Sequence, residues 1–170
     1  MTHAAPVLFG AADPNASYVV RPGGYVVLVN SEQAVAVVET EAGLFLPGGG
    51  SLRAESAEQT AVRETSEECG LKVRILSKLG DAHEFIFDAR EGVHYRKEGV
   101  FFLAEIVSPE GIAERGGRMC WRPAAEVALT LKQLSHRWAV QQALPNLAVN
   151  TDAPPAALRA RHGSPVTLVR

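Results

Sequence analysis

Residues 49–71 read GGSLRAESAEQTAVRETSEECGL, and the rest of the chain is best interpreted outward from this stretch. A glycine-rich loop runs into a segment with helix signals at both ends. Ser56 is a suitable N-cap, and Gln59 three residues later completes a capping box. Glu58 falls in the first turn, where the helix dipole favours negative charge. Gly70 suits the left-handed position that ends a helix. The spacing predicts a helix over about 57–69. Ala57, Ala61, Thr65 and Cys69 recur at i, i+4, and Val62 widens the stripe, so this face is expected to pack on the body of the protein. Thr65 can return its hydroxyl to the Ala61 carbonyl while its methyl packs.

Glu64, Glu67 and Glu68 sit at i, i+3 and i+4 and share a second face. Like charges so placed destabilise a bare helix by roughly 0.2–0.5 kcal/mol per pair. A hard dication removes that conflict, because Mg2+ and Mn2+ take carboxylate oxygens. Arg63 can pair with Glu55 and tie the loop to the helix, or it can orient one of the carboxylates. Three glutamates alone are more often a solvated helix end. The preceding Leu46-Pro47-Gly48-Gly49-Gly50 shifts the balance, since glycine backbone can approach a ligand closely.

The segment resembles the Nudix box, G-x5-E-x7-R-E-U-x-E-E-x-G-U, where U is a bulky aliphatic residue. The seven fixed positions are filled by Gly49, Glu55, Arg63, Glu64, Glu67, Glu68 and Gly70. Leu71 fills the last U, and Thr65 departs from the first. At about 7% usage per residue, seven such matches arise by chance less than about once in ten million starting points. The resemblance covers 23 residues, counting both ends of 49–71. It implies an α/β fold, a Nudix-type α/β/α sandwich with a mixed β-sheet. It also implies hydrolysis of a pyrophosphate linkage in a nucleoside diphosphate-X compound with Mg2+ as cofactor, for which Mn2+ can substitute. By that resemblance Gly49, Glu64, Glu67 and Glu68 hold metal, while Glu64, Glu67 and Arg63 serve the chemistry. Which glutamate acts as base is left open.

Length and composition agree. A chain of 170 residues is long enough for one well-buried core. With 46% hydrophobic residues and a net charge of -2, nothing suggests a nucleic-acid partner. No apolar run approaches the roughly 20 residues that span a bilayer, so no membrane association is expected. The N-terminus lacks a basic region followed by an apolar stretch, and a cytoplasmic location is expected. Cys69 and Cys120 have no metal-type spacing and are expected to be free, buried thiols. A small-molecule nucleotide is the expected partner, with room for a homodimer.

Residues 1–16 form an N-terminal lead-in, 17–145 the Nudix domain and 146–170 a loosely attached tail. Within the domain, Tyr25 to Val29 and Ala34 to Glu39 are read as a hairpin across Asn30-Ser31-Glu32-Gln33. Leu44 to Leu46, Lys72 to Leu79, His83 to Phe87, Val100 to Val107 and Met119 to Arg122 read as further strands. Pro123 introduces a helix over Ala124 to Leu129. A last helix from Leu134 to Leu144 is expected to stop at Pro145.

Outside the box, each candidate has a bland alternative. Arg21 precedes the first sheet strands and either meets a phosphate or is an ordinary surface arginine. Tyr95 and Arg96, with Lys97 beside them, hold a base or phosphate or form a solvated turn. Glu114 adds a ligand or base from a facing loop, or simply faces solvent. Phe85, Phe87 and Trp121 stack on a nucleobase or belong to the core. His136-Arg137 is expected at the surface.

Resemblance also bears on the substrate. The proline that ADP-ribose hydrolases often carry downstream of the box is absent, and that region reads Glu84-Phe85-Ile86-Phe87. The marker of NADH hydrolases and a coenzyme A motif are missing too. A (deoxy)nucleoside triphosphate is the favoured substrate. A dinucleoside polyphosphate, a nucleotide sugar or a non-catalytic nucleotide-binding role is the alternative.

Overall fold

The computed structural model describes residues 4–111, 113 and 117–147. Its central sheet is ordered β1-β6-β7-β2-β5. The strands are β1 (Val7–Phe9), β2 (Tyr18–Leu28), β5 (Gly48–Gly50), β6 (Leu71–Asp88) and β7 (Val93–Pro109). β1 runs parallel to β6 and β2 parallel to β7, while β6–β7 and β2–β5 are antiparallel, so the sheet is mixed. A second, antiparallel sheet joins β4 (Gly43–Phe45), β3 (Ala34–Thr40) and β8 (Arg118–Pro123) in the order β4-β3-β8.

Alternation along the two central strands builds two cores. Val26 and Leu28 of β2, with Phe102 and Ala104 of β7, pack with Ala61 of α1 (Ala57–Cys69). Val27, Phe101 and Leu103 face the other way. They meet Val127 of α2 (Ala124–Thr130) and Ala139, Val140 and Ala143 of α3 (Leu134–Leu147). Strands buried on both faces read as continuous apolar runs, as β2 and β7 do. The result is the expected α/β layering around a mixed sheet.

α1 forms as its caps dictate. Ser56 Oγ accepts from Gln59 N, Gln59 Oε1 accepts from Ser56 N, and Gly70 is left-handed at φ 62°. Thr65 is fully buried, and its hydroxyl donates to the Ala61 carbonyl at 2.7 Å. The helix lies close enough to β2 that a Cβ at Gly24 would meet the Ala57 carbonyl oxygen at 1.9 Å.

Five sequence expectations are corrected. The Tyr25–Glu39 hairpin opens: β2 and β3 enter different sheets and keep only a bridge between Val29 and Val35. Both runs are apolar on both faces, so local pattern cannot choose their partners. The strands expected at 72–79 and 83–87 are one strand, β6, bent by register irregularities at Lys72/Val73, Ile75/Ser77 and Lys78/Gly80. The glycines expected as loop form an edge strand, β5. α3 does not stop at Pro145 but continues through it to Leu147, because a proline in the last turn removes only one donor. The lead-in contains β1, which joins the sheet. Beyond Leu147 the expected tail lies outside the described residues. Among those residues, no helix is long and apolar enough to cross a membrane.

Candidate active site

The site forms where α1 passes the edge strand β5. Arg63 organises it. Its Nε donates to Glu55 Oε1 at 2.7 Å and its Nη2 to Glu55 Oε2 at 2.9 Å, a two-point clamp. Nη1 donates to Glu64 Oε1 at 2.8 Å and to Glu67 Oε1 at 3.2 Å. Nη2 also reaches the Gly50 carbonyl at 3.3 Å. One planar guanidinium thus holds three carboxylates and the glycine strand in a fixed relation. These bonds, with that to Glu55 the strongest, raise the Arg63 pKa further, so the group stays charged. The same guanidinium, helped by the Leu52 N–H and the Thr60 hydroxyl, holds the Glu55 carboxyl down at about 2.

Glu68 is fixed from the other side, where its Oε2 accepts from the Gly48 N–H at 3.1 Å. Glu64 is buried rather than projecting as its place in the acidic stripe suggested. Its carboxyl carbon lies 2.6 Å from where a Cβ on Gly49 would stand, so the missing side chain at Gly49 makes its room. Gly49, Glu64, Glu67 and Glu68 are therefore brought together, with Arg63 among them.

The donor set fits a hard dication. It consists of carboxylate and carbonyl oxygens with no soft ligand, and glycine backbone lies against one carboxylate. As the side chains stand, no three carboxylate, histidine or cysteine groups among the described residues are placed to hold one ion. A bound ion has to draw these carboxylates off Arg63 or share them with it.

Beside the carboxylates, on the α3 side of the sheet, run two adjoining cavities. The one of about 350 Å³ is lined by Arg21, Tyr25, Gly50, Asp88, Tyr95 and Lys97, among others. The one of about 260 Å³ is lined by Tyr25, Gly48, Gly50, Glu68, Lys97 and His136, among others. Arg21 stacks over the Tyr95 ring at 5.2 Å. Arg96, one residue from Lys97, alternates to the opposite side of β7 and pairs with Glu98 at 2.7 Å. Glu114 lies outside the described residues.

Sequence reasoning overlooked several groups here. His136, expected at the surface, is only 1% exposed. Its Nδ1 accepts from the Leu46 N–H at 3.1 Å, so its proton sits on Nε2. Burial, with Lys97 adding to it, pushes its pKa down to about 3 and keeps it neutral. Tyr25 stacks on Phe101 and contacts His136. Burial, then Glu68, Glu64 and Glu84, push its pKa up to about 12, so its hydroxyl keeps its proton. Glu84 accepts from Leu134 N, Ser135 N and Ser135 Oγ at the start of α3. None has a local sequence signal, because each depends on which strand or helix lies opposite. Of the aromatics weighed for stacking, Phe85 meets Tyr18 edge-on, Phe87 contacts His94 and is exposed, and Trp121 packs against the α1 core.

A capped helix carrying clustered carboxylates against a glycine strand, inside a two-sheet α/β body, defines the class. The NUDIX domain model matches residues 15–145. The chain belongs to the NUDIX family. No curated protein matches it. Among solved structures it resembles a NUDIX hydrolase from Nitrosomonas europaea, with TM-score 0.62 and 19% identity, covering 75% of this chain and 90% of that one. It resembles a MutT protein from Methanosarcina mazei Go1 with TM-score 0.60 and 14% identity, covering 78% and 99%. It also resembles the NUDIX domain of Shewanella oneidensis NrtR complexed with ADP ribose, with TM-score 0.57 and 22% identity, covering 80% and 94%.

Proposed function

We propose that the chain is a Mg2+-dependent pyrophosphohydrolase of nucleoside diphosphate-X compounds, with (deoxy)nucleoside triphosphates as its first substrates. The observation that carries this reading is the Arg63 lattice, which holds Glu55, Glu64 and Glu67 beside the Gly48-bound Glu68 at the edge of a cleft. A structural role alone does not call for four carboxylates in one place, since their mutual repulsion has to be offset. Glu64, Glu67, Glu68 and the Gly49 carbonyl would hold Mg2+, which would supply neutralisation of phosphate charge and a lowered water pKa.

The residues do the remainder. Arg63 is a positioning residue that sets Glu64 and Glu67. In this reading one of them takes the proton of the attacking water as its oxygen bonds to phosphorus, while the bridging oxygen leaves with the other phosphoryl group. Arg21 and Tyr95 line the cleft that receives the nucleotide. A cytoplasmic location belongs to the same proposal and suits the free thiols Cys69 and Cys120.

The test is phosphate release from a panel of nucleoside triphosphates, dinucleoside polyphosphates and nucleotide sugars with Mg2+, with and without added pyrophosphatase. The expected result is turnover of a triphosphate with pyrophosphate as product. Turnover should largely vanish in Glu67→Gln or Glu68→Gln, with the fold retained. Near-wild-type rates in both variants would refute the assignment. Tight nucleotide binding without hydrolysis of any compound would favour a binding module.

A further inference from the structure

The cleft is lined by two cations, Arg21 and Lys97, that make no close ion pair among the described residues. Lys97 lies at the junction of the two cavities, which share it with Tyr25 and Gly50. In the sheet register it stands directly between Glu84 of β6 and Arg21 of β2, so the three form one cross-strand row on the α3 side. Each acid near this row already has protein donors. Glu84 accepts three hydrogen bonds from Leu134 and Ser135. Asp88 Oδ1 accepts from the Arg90 and Glu91 N–H groups. Glu91 accepts from the Tyr95 hydroxyl.

The cations differ. Among the described residues, Lys97 has no ion pair within 4.0 Å and no hydrogen bond, although Glu84 and Asp88 attract it at longer range. Arg21 lies over the Tyr95 ring and makes no ion pair among the described residues. A half-buried ammonium without a contacting anion loses hydration and gains little in return. Burial, the largest influence on Lys97, accordingly pulls its pKa down. An anion entering the cleft reverses that deficit.

We propose that Lys97, with Arg21 beside it, forms an anion subsite that holds the terminal phosphoryl group of a nucleoside triphosphate while the scissile bridge lies at the Glu64, Glu67 and Glu68 cluster. The subsite adjoins that cluster, since Glu68 and Lys97 line the same cavity with Gly48–Gly50 between strand and helix. Triphosphates, which carry negative charge beyond the scissile bridge, are favoured over diphosphates linked to a neutral X. This rests on the hydrolase reading above and supplies its substrate class.

The test uses the full chain, with Lys97→Met, Lys97→Arg and Arg21→Met. The ratio of kcat/KM for a nucleoside triphosphate to that for a nucleoside diphosphate-hexose is expected to fall about 10–100-fold in Lys97→Met, mainly through KM. Lys97→Arg should restore part of it. A second readout needs no turnover: calorimetric titration of inorganic tripolyphosphate with Mg2+, expected to weaken by a similar factor in Lys97→Met and Arg21→Met. An unchanged substrate ratio together with unchanged tripolyphosphate affinity overturns the subsite. Were the wild-type chain to hydrolyse nothing, the hydrolase reading would fall, while the tripolyphosphate titration would still decide the subsite. Thermal unfolding of each variant guards against loss of fold.

Discussion

Gly49→Ala is the sharpest probe of the site, because it adds one methyl group at the contact between strand and carboxylate. The new Cβ would stand 2.6 Å from Glu64 Cδ, 2.9 Å from Oε2 and 3.0 Å from Cγ. Ordinary carbon contacts are about 3.5–4.0 Å, so the overlap is roughly 1 Å. Gly49 is not among the residues with positive φ, so alanine fits the backbone and the strain falls on the side chain. The end of a glutamate can swing away. Overpacking of this kind costs about 1–3 kcal/mol, offset by the ~0.4–1 kcal/mol that Gly→Ala contributes through the unfolded chain.

The net stability loss should then be about 2.5 kcal/mol or less, and the protein should remain folded. Catalysis should suffer more, because displacing a reacting group by about 1 Å costs on the order of 100-fold in rate. Urea unfolding, Mg2+-dependent turnover and Mn2+ binding by electron paramagnetic resonance measure the three quantities. Turnover and Mn2+ affinity within twofold of wild type would refute the placement of Glu64 against Gly49. Gly24→Ala is the contrast. Its Cβ would strike the Ala57 carbonyl oxygen at 1.9 Å, where only backbone can yield, so it should cost stability first.

Two further outcomes follow from the same geometry. Arg63→Lys keeps the charge but not the planar fork that reaches Glu55, Glu64 and Glu67 together, so turnover should fall about 10–100-fold with the fold retained; steady-state kinetics beside circular dichroism checks this. His136 makes stability depend on pH. Its pKa is near 6.5 unfolded and about 3 folded, so the unfolded state binds the extra proton in that window, and stability present above 6.5 is lost as pH falls. Between pH 6.5 and 4.5 the loss should reach up to about 2–3 kcal/mol at one proton per molecule, read from urea midpoints; a flat profile over that range would count against its neutral burial.

The acidic helix was legible from its own residues. Capping by Ser56, Gln59 and Gly70, the Thr65 back-bond and the pairing of Arg63 with Glu55 all join residues within eight positions of one another or at a helix end. Local hydrogen bonding and the helical period carry such information. The burial of Glu64 was not legible, because it required β5 to lie alongside.

The strands mark the boundary. In the sequence Arg96 is the candidate named with Tyr95, and Lys97 only its neighbour, yet pleat and pairing set Lys97 in the cleft and Arg96 beside Glu98. His136 looked like a surface residue until α3 was laid against Tyr25 and Phe101. β2 and β3 looked like a hairpin until each found a partner elsewhere. The sequence by itself determined the helix, its carboxylates and so the family chemistry, since these depend on short-range spacing. Tertiary structure decided the cleft, the lining of it by Arg21 and Lys97, and the buried histidine. Those depend on register between strands far apart in the chain, and apolar runs suited to either face do not encode that register locally.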